Sequence, residues 1–213
     1  MGKAGGRWKY TSEEDARRYI ELSTSRSRWV QFLHAIAATH ELSSVFEGEI
    51  LSSLLEKAGS TPEEARRRCP LTPINIPDTY NKNTVTESIC RAASQWEKIE
   101  DAINRCDSEW VSRNVYGLRL KGADMLMLLS GCNTVVADRE MIRMIKPGIS
   151  ESSIKKIQSS RRLYNEVKSE LEKMAREEGI PYNVWHVKEW LKRADGPLKE
   201  GARKWIEKLF KQQ

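Results

Sequence analysis

Helical periodicity runs through almost every long segment of this chain, and it constrains the fold more than any other feature. In WVQFLHAIAATHEL, Trp29, Leu33 and Ile36 recur three to four residues apart, and SVFEGEILSSLLEKAG continues the pattern over residues 45–55. Apolar residues at this spacing lie on one face of a helix. No segment alternates convincingly as a strand, so the sequence predicts an all-α fold.

Capping residues and prolines set the expected helix boundaries. Thr11 or Ser12 is expected to begin a helix that ends near residue 22, and Ser60 is expected to cap a short helix with Pro62 in its first turn. The three prolines of CPLTPINIPDTYNKN exclude a regular helix over 69–83, which is predicted to be a crossing loop. Further helices are predicted at 29–42, 44–59, 84–104, 107–113, 121–130, after Asp138, and at 161–178, 183–194 and 198–211.

Charge and cysteine content bear on partners and compartment. Lysine and arginine outnumber aspartate and glutamate by 36 to 30, a net charge of +6 that suits a nucleic-acid partner, although a merely basic surface explains it equally well. The four cysteines match no metal-binding spacing and are expected to be reduced, as in a cytosolic protein. With no signal peptide and no apolar run of membrane-spanning length, the protein is expected to be cytoplasmic. The charged fraction of 31% suits a thermophile.

A tight turn between two helices is predicted in SEWVSRNVYGLRLKGADMLMLLSG. The turn Gly117-Leu118-Arg119 would expose backbone N–H groups at the start of the second helix, where they and the helix dipole attract a phosphate. Arg119 stands where a Gly-x-Gly turn has its second glycine, and its guanidinium can add a phosphate contact. By itself, the turn fits an ordinary helix–helix connection as well.

The segment RNVYGLRLKGADMLMLLSGCNTVVADREMI closely resembles the core of the helix-hairpin-helix DNA glycosylases, and among them the archaeal 8-oxoguanine DNA glycosylase/lyases. The Lys–Asp separation, 138 − 121 = 17, is slightly shorter than is typical of that family. The tail AREEGIPYNVWHVKEWLKRA also resembles the C-terminal region of the archaeal enzymes. The residues that carry the resemblance of the core are Arg113-Asn114, Gly117, Lys121, Ala123, Gly131, Val135-Val136 and Asp138-Arg139.

The resemblance implies an all-α, two-lobed helix-hairpin-helix glycosylase fold with DNA in the cleft. Residues 1–83 would form one lobe together with the C-terminal helices, residues 84–147 the helix-hairpin-helix lobe, and residues 148–213 would pack back on the first lobe. The implied activity is base-excision repair by a DNA glycosylase with AP lyase activity, without cofactor or metal. The implied partner is double-stranded DNA with a damaged base, bound by a monomer in the nucleoid of a prokaryotic or archaeal cell.

The resemblance also assigns two catalytic roles. Lys121 would attack C1′ of the damaged nucleotide and form a Schiff base, and Asp138 would stabilise the positive charge that develops on the sugar. An ordinary lysine is protonated at neutral pH, so a nucleophilic one must be desolvated or lie near positive charge. A helix start beside Met125 and Leu126 offers both. On residue type alone, Lys121 fits a solvated first-turn lysine and Asp138 a plain N-cap.

The remaining expected sites are DNA contacts and a base pocket. Trp190 is the expected stacking residue, although it fits a core position equally well, as does His34. His186 stands where the family places an aspartate that engages the base. The expected 8-oxoguanine therefore competes with uracil, hypoxanthine or a mispaired base, and two alternatives outside catalysis stay open: a catalytically silent helix-hairpin-helix DNA-binding module and a helical protein-interaction domain. The expected DNA contacts are Arg113, Asn114, Gly117, Leu118, Arg119 and Gly122, and the expected base-pocket residues are Gln31, His34, His186 and Trp190.

Overall fold

A computed structural model describes residues 10–39, 44–71 and 82–193, together with Glu207 and Phe210. Within these residues the chain forms twelve helices and no strand, which confirms the all-α prediction. The helices are α1 (Glu13–Thr24), α2 (Arg28–Thr39), α3 (Ser44–Ala58), α4 (Pro62–Arg68), α5 (Lys82–Ser94), α6 (Trp96–Asn104), α7 (Ser108–Asn114), α8 (Leu120–Leu129), α9 (Arg139–Ile145), α10 (Glu151–Ser159), α11 (Arg161–Glu177) and α12 (Tyr182–Arg193).

The predicted caps are confirmed at α1 and displaced by one residue at α4. The hydroxyl of Ser12 accepts a hydrogen bond from the Asp15 N–H at 3.0 Å, and the Asp15 carboxylate accepts one from the Ser12 N–H at 2.9 Å. The cap of α4 is Thr61, whose hydroxyl accepts from the Glu64 N–H at 3.2 Å. Ser60 instead donates its backbone N–H to the Glu64 carboxylate at 2.8 Å, so its predicted role as the cap was wrong.

Two other helix predictions needed correction. The helix expected over 84–104 is two helices, because the backbone turns at Gln95, where no glycine or proline marks a break. The turn lets Trp96 enter the core, where its ring lies 5.0 Å from that of Trp29. Helix α10 was missed because it contributes only Ile154 and Ile157 to the core, too few to establish a period.

Some predictions fall on residues that the structure does not describe. Most of the predicted crossing loop over 69–83 lies in 72–81, and most of the predicted helix over 198–211 also falls outside the described residues. Of that C-terminal segment, Phe210 is buried and packs edge-on against Tyr10, with ring centroids 4.9 Å apart. No helix among the described residues combines the length and the apolar character that a membrane crossing requires.

The buried apolar side chains form two clusters that meet at α12. The first cluster collects the inner faces of α1–α8, and the second collects α9, α10 and α11. Helix α12 contributes side chains to both clusters. Val184, Val187 and Leu191 pack in the first cluster, and Trp185 packs in the second. Trp190 is half-buried against both clusters, which places α12 at the boundary where a shared site can form.

Two disulfides contradict the expectation that the four cysteines are reduced. Cys69 is bonded to Cys90 and Cys106 to Cys132, with Cα–Cα distances of 5.9 and 5.8 Å, which are ordinary for a disulfide. The first joins the end of α4 to α5, and the second joins the segment after α6 to the segment after α8. The prediction was wrong because residues 21 and 26 positions apart become neighbours only through helix packing.

Candidate functional site

The predicted helical hairpin is present, and a disulfide joins its two ends. The name hairpin is used for residues 106–132. Helices α7 and α8 pack against each other and are joined by residues 115–119, and the Cys106–Cys132 bond closes the unit. Gly117 has a φ of 85°, and a Cβ built there would lie 2.0 Å from the hydroxyl oxygen of Ser88 on α5. Only glycine meets both constraints without strain, because the conformation is left-handed and the approach to α5 is closer than a side chain allows.

The residues predicted to contact DNA divide into exposed and packing residues. Arg113, Asn114 and Arg119 are exposed, and Arg113 is ion-paired with Glu109 one turn earlier. Leu118 and Gly122 are buried, so both residues pack inside the protein and present no side chain to a ligand. A Cβ at Gly122 would lie 2.7 Å from the Thr39 hydroxyl, and glycine there lets the start of α8 approach the end of α2.

The start of α8 is the part of the hairpin best suited to an anion. Arg119 is its N-cap in extended conformation, and its side chain makes no capping hydrogen bond. The first N–H groups of any helix lack intrahelical acceptors, and they mark the positive end of the helix dipole. With the exposed guanidinium of Arg119 beside them, these groups form a surface that favours a phosphate.

Lys121 lies in the first turn of α8 and is half-buried. Its ammonium nitrogen donates to the backbone carbonyl of Ala38, near the end of α2, at 3.0 Å. The side chain is therefore directed along the junction of α8 with α2, so it is not simply a solvated lysine on the outer face of the first turn. The Ala38 carbonyl is a neutral acceptor, so this contact places no negative charge against the amine.

Asp138 is the N-cap of α9 and is buried; residues 135–138 are called the aspartate turn below. One carboxylate oxygen, Oδ1, accepts a hydrogen bond from the Met141 N–H at 2.9 Å. The other, Oδ2, lies 3.7 Å from Nε2 of His186, whose side chain is 2% exposed. The plain N-cap role of Asp138 is thus present, and it is accompanied by a buried imidazole that such a cap does not require.

The aspartate turn is held by side chains from three other helices. The Val136 N–H donates to Nδ1 of His186 at 3.4 Å, and the Ala137 N–H donates to the hydroxyl of Tyr164 at 3.3 Å. The side-chain amide of Gln158 donates to the Ala137 carbonyl at 3.2 Å. Backbone groups that would otherwise be buried without partners are therefore satisfied by α10, α11 and α12.

Burial controls the charge of His186. Desolvation lowers the pKa of the imidazole, and the nearby carboxylates of Asp138 and Asp124 oppose that shift without overcoming it. A neutral imidazole whose Nδ1 accepts a hydrogen bond carries its proton on Nε2. That proton lies on the side of the ring that faces Asp138.

A second buried polar group connects α8 to the aspartate turn and was missed by the sequence analysis. Asp124 is 3% exposed, and its carboxylate accepts from the ammonium of Lys168 on α11 at 2.8 Å. The same carboxylate acts on Tyr164, because burial, followed by the charge of Asp124, raises the pKa of that phenol well above its ordinary value. The sequence contains one signal for this buried polar group, because Asp124 is the one acidic residue inside the apolar stretch LKGADMLMLL.

An open cleft of about 190 Å³ lies between α7, α8 and α11 and exposes part of this group. The cleft is close to the hairpin, because Arg161 at the start of α11 reaches Glu109 and Ser112 of α7. The residues that line it are Ser108, Glu109, Ser112, Leu120, Asp124, Arg161, Tyr164, Asn165 and Lys168.

The predicted base-pocket residues lie on two helices and are engaged with other parts of the protein. Gln31 is buried on α2, where its amide nitrogen donates to the Ser23 and Arg26 carbonyls at 3.1 Å and its oxygen accepts from the Ser130 hydroxyl at 2.9 Å. His34 is also buried on α2. On α12, His186 faces the aspartate turn, and Trp190 packs on Tyr19 with ring centroids 6.1 Å apart. The structure brings His186 together with Asp138.

Comparison with known proteins gives no independent assignment, because the chain matches no protein-family model, no curated protein and no solved structure. Among the described residues, no group of three or more His, Cys, Asp or Glu side chains is arranged to hold a metal ion.

Proposed function

We propose that this protein is a base-excision DNA glycosylase with AP lyase activity, with Lys121 as the nucleophile and Asp138 as its electrostatic partner. One observation carries the proposal. The segment that resembles the glycosylase core folds as a helical hairpin, with Lys121 directly after the turn and Asp138 at the start of the next helix. Both residues have placements beyond those of ordinary surface residues, since the amine lies against α2 and the carboxylate against a buried histidine.

The chemistry that these two groups support requires no cofactor. The unprotonated amine of Lys121 forms a bond to C1′ while the bond from C1′ to the base breaks. The departing base keeps the electron pair and takes up a proton, and the new secondary ammonium loses one, which frees its lone pair to expel O4′. Opening of the sugar ring gives a Schiff base, and loss of a C2′ proton then expels the 3′ phosphate and cuts the strand. The carboxylate of Asp138 stabilises the positive charge on the sugar as the base leaves.

The hairpin supplies the contact with the DNA backbone. The positive end of α8 and the exposed arginines Arg113 and Arg119 favour phosphates, and such contacts hold DNA without reading its sequence. Binding through phosphates releases counterions, so affinity should fall steeply as salt is added. The damaged base must leave the stack to expose C1′, since the glycosidic bond is shielded inside the duplex.

The proposed substrate is an altered purine, with 8-oxoguanine first among the bases to test. His186 in place of the family's aspartate is the reason that uracil, hypoxanthine and mispaired bases belong in the same test. The resemblance to archaeal enzymes supports a role in the cytoplasm of a prokaryotic or archaeal cell. Disulfides are stable inside hyperthermophilic cells, and the two found here are compatible with such a cytoplasm.

Borohydride trapping tests the proposal directly. The protein is incubated with duplexes that contain 8-oxoguanine, uracil, hypoxanthine or an abasic site, and covalent adducts are resolved on a denaturing gel. We expect an adduct with the wild type and with Lys98→Gln, which changes an exposed lysine on α6, and none with Lys121→Gln. The base that yields the adduct identifies the substrate.

The negative outcomes separate the alternatives. Salt-sensitive DNA binding without an adduct on any duplex, abasic sites included, would exclude the Schiff-base mechanism. The remaining possibilities would be a glycosylase that activates water and a catalytically silent DNA-binding module. Base release without strand cleavage would identify the glycosylase. Absence of DNA binding at low salt would overturn the nucleic-acid role itself.

A further inference from the structure

We propose that His186 is a positioning residue that orients the carboxylate of Asp138 through its Nε2–H, and that it does not form part of the base pocket. The inference rests on the proposed role of Asp138 in catalysis. It assigns His186 a different task from that of the aspartate that the glycosylase family places there, and it moves the choice of base to other residues.

The surroundings of the imidazole support this assignment. His186 is 2% exposed, so its ring is closed off from any ligand in the present conformation. Nδ1 accepts the Val136 N–H at 3.4 Å, and Nε2 lies 3.7 Å from Oδ2 of Asp138. Each ring nitrogen therefore faces the aspartate turn, one toward its backbone and the other toward its carboxylate.

The two oxygens of Asp138 face different donors. Oδ1 is taken by the Met141 N–H at 2.9 Å, and Oδ2 faces the imidazole. Because Oδ1 is hydrogen-bonded and Oδ2 faces the imidazole, the plane of the Asp138 carboxylate has little freedom to rotate. An electrostatic partner is most effective when its orientation is set before the charge develops. The 3.7 Å separation is longer than a hydrogen bond, and such contacts commonly tighten when the substrate binds.

Two carboxylates act on the charge of His186, and a phenol is bonded to the turn that the imidazole faces. Asp138 faces it from the aspartate turn, Asp124 acts on it from α8, and Tyr164 of α11 bonds to the same turn. The carboxylates favour the imidazolium, but desolvation outweighs them and lowers the pKa of His186. At neutral pH the ring is thus a neutral Nε2–H donor that orients Asp138 without cancelling its charge. Acidification would convert it to a cation that offsets the carboxylate.

Two substitutions at His186 distinguish the contact made by Nδ1 from the contact made by Nε2. His186→Gln places an amide nitrogen near the position of Nε2 and keeps a donor for Asp138. His186→Asn keeps an acceptor for the Val136 N–H and is too short to reach the carboxylate. The single-turnover rate of base release, DNA affinity and the pH–rate profile are measured for both variants, on whichever substrate the wild type accepts.

We expect His186→Asn to slow base release roughly 10- to 100-fold, the range for losing a hydrogen bond to a charged group. His186→Gln should stay within about threefold of the wild type, and its rate should lose less on the acid side, because an amide cannot become charged. DNA affinity and base preference should be unchanged in both variants, since the ring does not touch the ligand. Equal rates for Asn and Gln, or an altered base preference, would overturn the assignment.

A measurement on the unmodified protein keeps the inference testable if either variant fails to fold or if the proposed function is wrong. Long-range ¹H–¹⁵N correlation of histidine-labelled protein reports which ring nitrogen carries the proton. We expect a neutral Nε2–H tautomer for His186 at pH 7. A proton on Nδ1 would refute the contact whatever the activity, whereas failure of borohydride trapping alongside an Nε2–H tautomer would refute the proposed function and leave the His186–Asp138 contact supported.

Discussion

The hairpin and the aspartate turn are held in place by different kinds of interaction. In the hairpin, a disulfide closes the unit, and two glycines allow close approaches to α5 and α2. In the aspartate turn, side chains from α10, α11 and α12 hold backbone groups and a carboxylate through buried polar contacts. The hairpin, which would carry the nucleophile, depends on covalent and steric constraints. The turn, which would carry the electrostatic partner, depends on hydrogen bonds and charge.

This difference predicts different responses to substitution and to pH. A covalent bond and a steric contact do not titrate in the neutral range, so stability contributed by the hairpin should not vary with pH there. The aspartate turn includes a buried histidine with a lowered pKa, so its contribution should vary.

Loss of the Cys106–Cys132 disulfide should have the largest effect. Replacing both cysteines by alanine frees a loop with a sequence separation of 26 and should lower the free energy of unfolding by about 3 to 4 kcal/mol. Urea denaturation at pH 7 measures the change. Because the freed loop contains the whole hairpin, duplex DNA affinity at low salt should fall as well.

The Cys69–Cys90 disulfide provides a matched control for that experiment. Its separation of 21 gives nearly the same loop entropy, so its removal should cost about the same stability. It joins α4 to α5 and lies outside the hairpin, so DNA affinity should be preserved. An equal loss of DNA affinity in both variants would show that the hairpin is not the DNA-binding element.

Substitution of Gly117 by alanine should come next, with a loss of about 2 to 3 kcal/mol. The new Cβ would lie 2.0 Å from the Ser88 hydroxyl oxygen and 2.9 Å from its Cβ, in a backbone with a φ of 85°. Adding Ser88→Ala removes the closer of these contacts and should restore part of the lost stability. The cost of placing alanine in a left-handed backbone should remain. A purely additive double mutant in urea denaturation would contradict a steric origin.

Removal of the Tyr164 hydroxyl should have a smaller effect, of about 1 to 2 kcal/mol. Tyr164→Phe leaves the buried Ala137 N–H without its acceptor. The control is Tyr116→Phe in the hairpin, where the ring is 40% exposed and keeps its contact with Arg91. Urea denaturation should show almost no change for the control, and equal losses would remove the distinction between the two regions.

The pH dependence attributed to His186 should be the smallest effect. Its pKa is lowered in the folded state from an ordinary value of 6.5, so the unfolded chain binds more protons as the pH falls through that value. Stability is therefore lost on acidification, by at most about 0.7 kcal/mol between pH 7 and pH 6 for this one group. The difference in unfolding free energy between the wild type and His186→Gln, measured at both pH values, should shrink at pH 6. A difference that grows on acidification would reverse the proposed direction.

Prediction from the sequence succeeded where the determining interactions are local. The hairpin turn was predicted from Gly117 between two helical segments, and the structure shows the residue in the left-handed conformation that glycine adopts without strain. Asp138 at a helix start was predicted because an N-cap acts on an N–H three residues away. The same reasoning failed at Gln95, where a core position for Trp96 interrupts an otherwise continuous helical pattern.

The sequence by itself determined the all-α class, most helix positions and the order of the residues that resemble a glycosylase core. Only the tertiary structure decided the two disulfides, the contact between His186 and Asp138, and the links from Asp124 to Tyr164 and Lys168. The physical reason is range. Helix periodicity and capping act within a few residues, whereas these contacts join residues 21 to 48 (186 − 138) positions apart and exist only after the helices have packed.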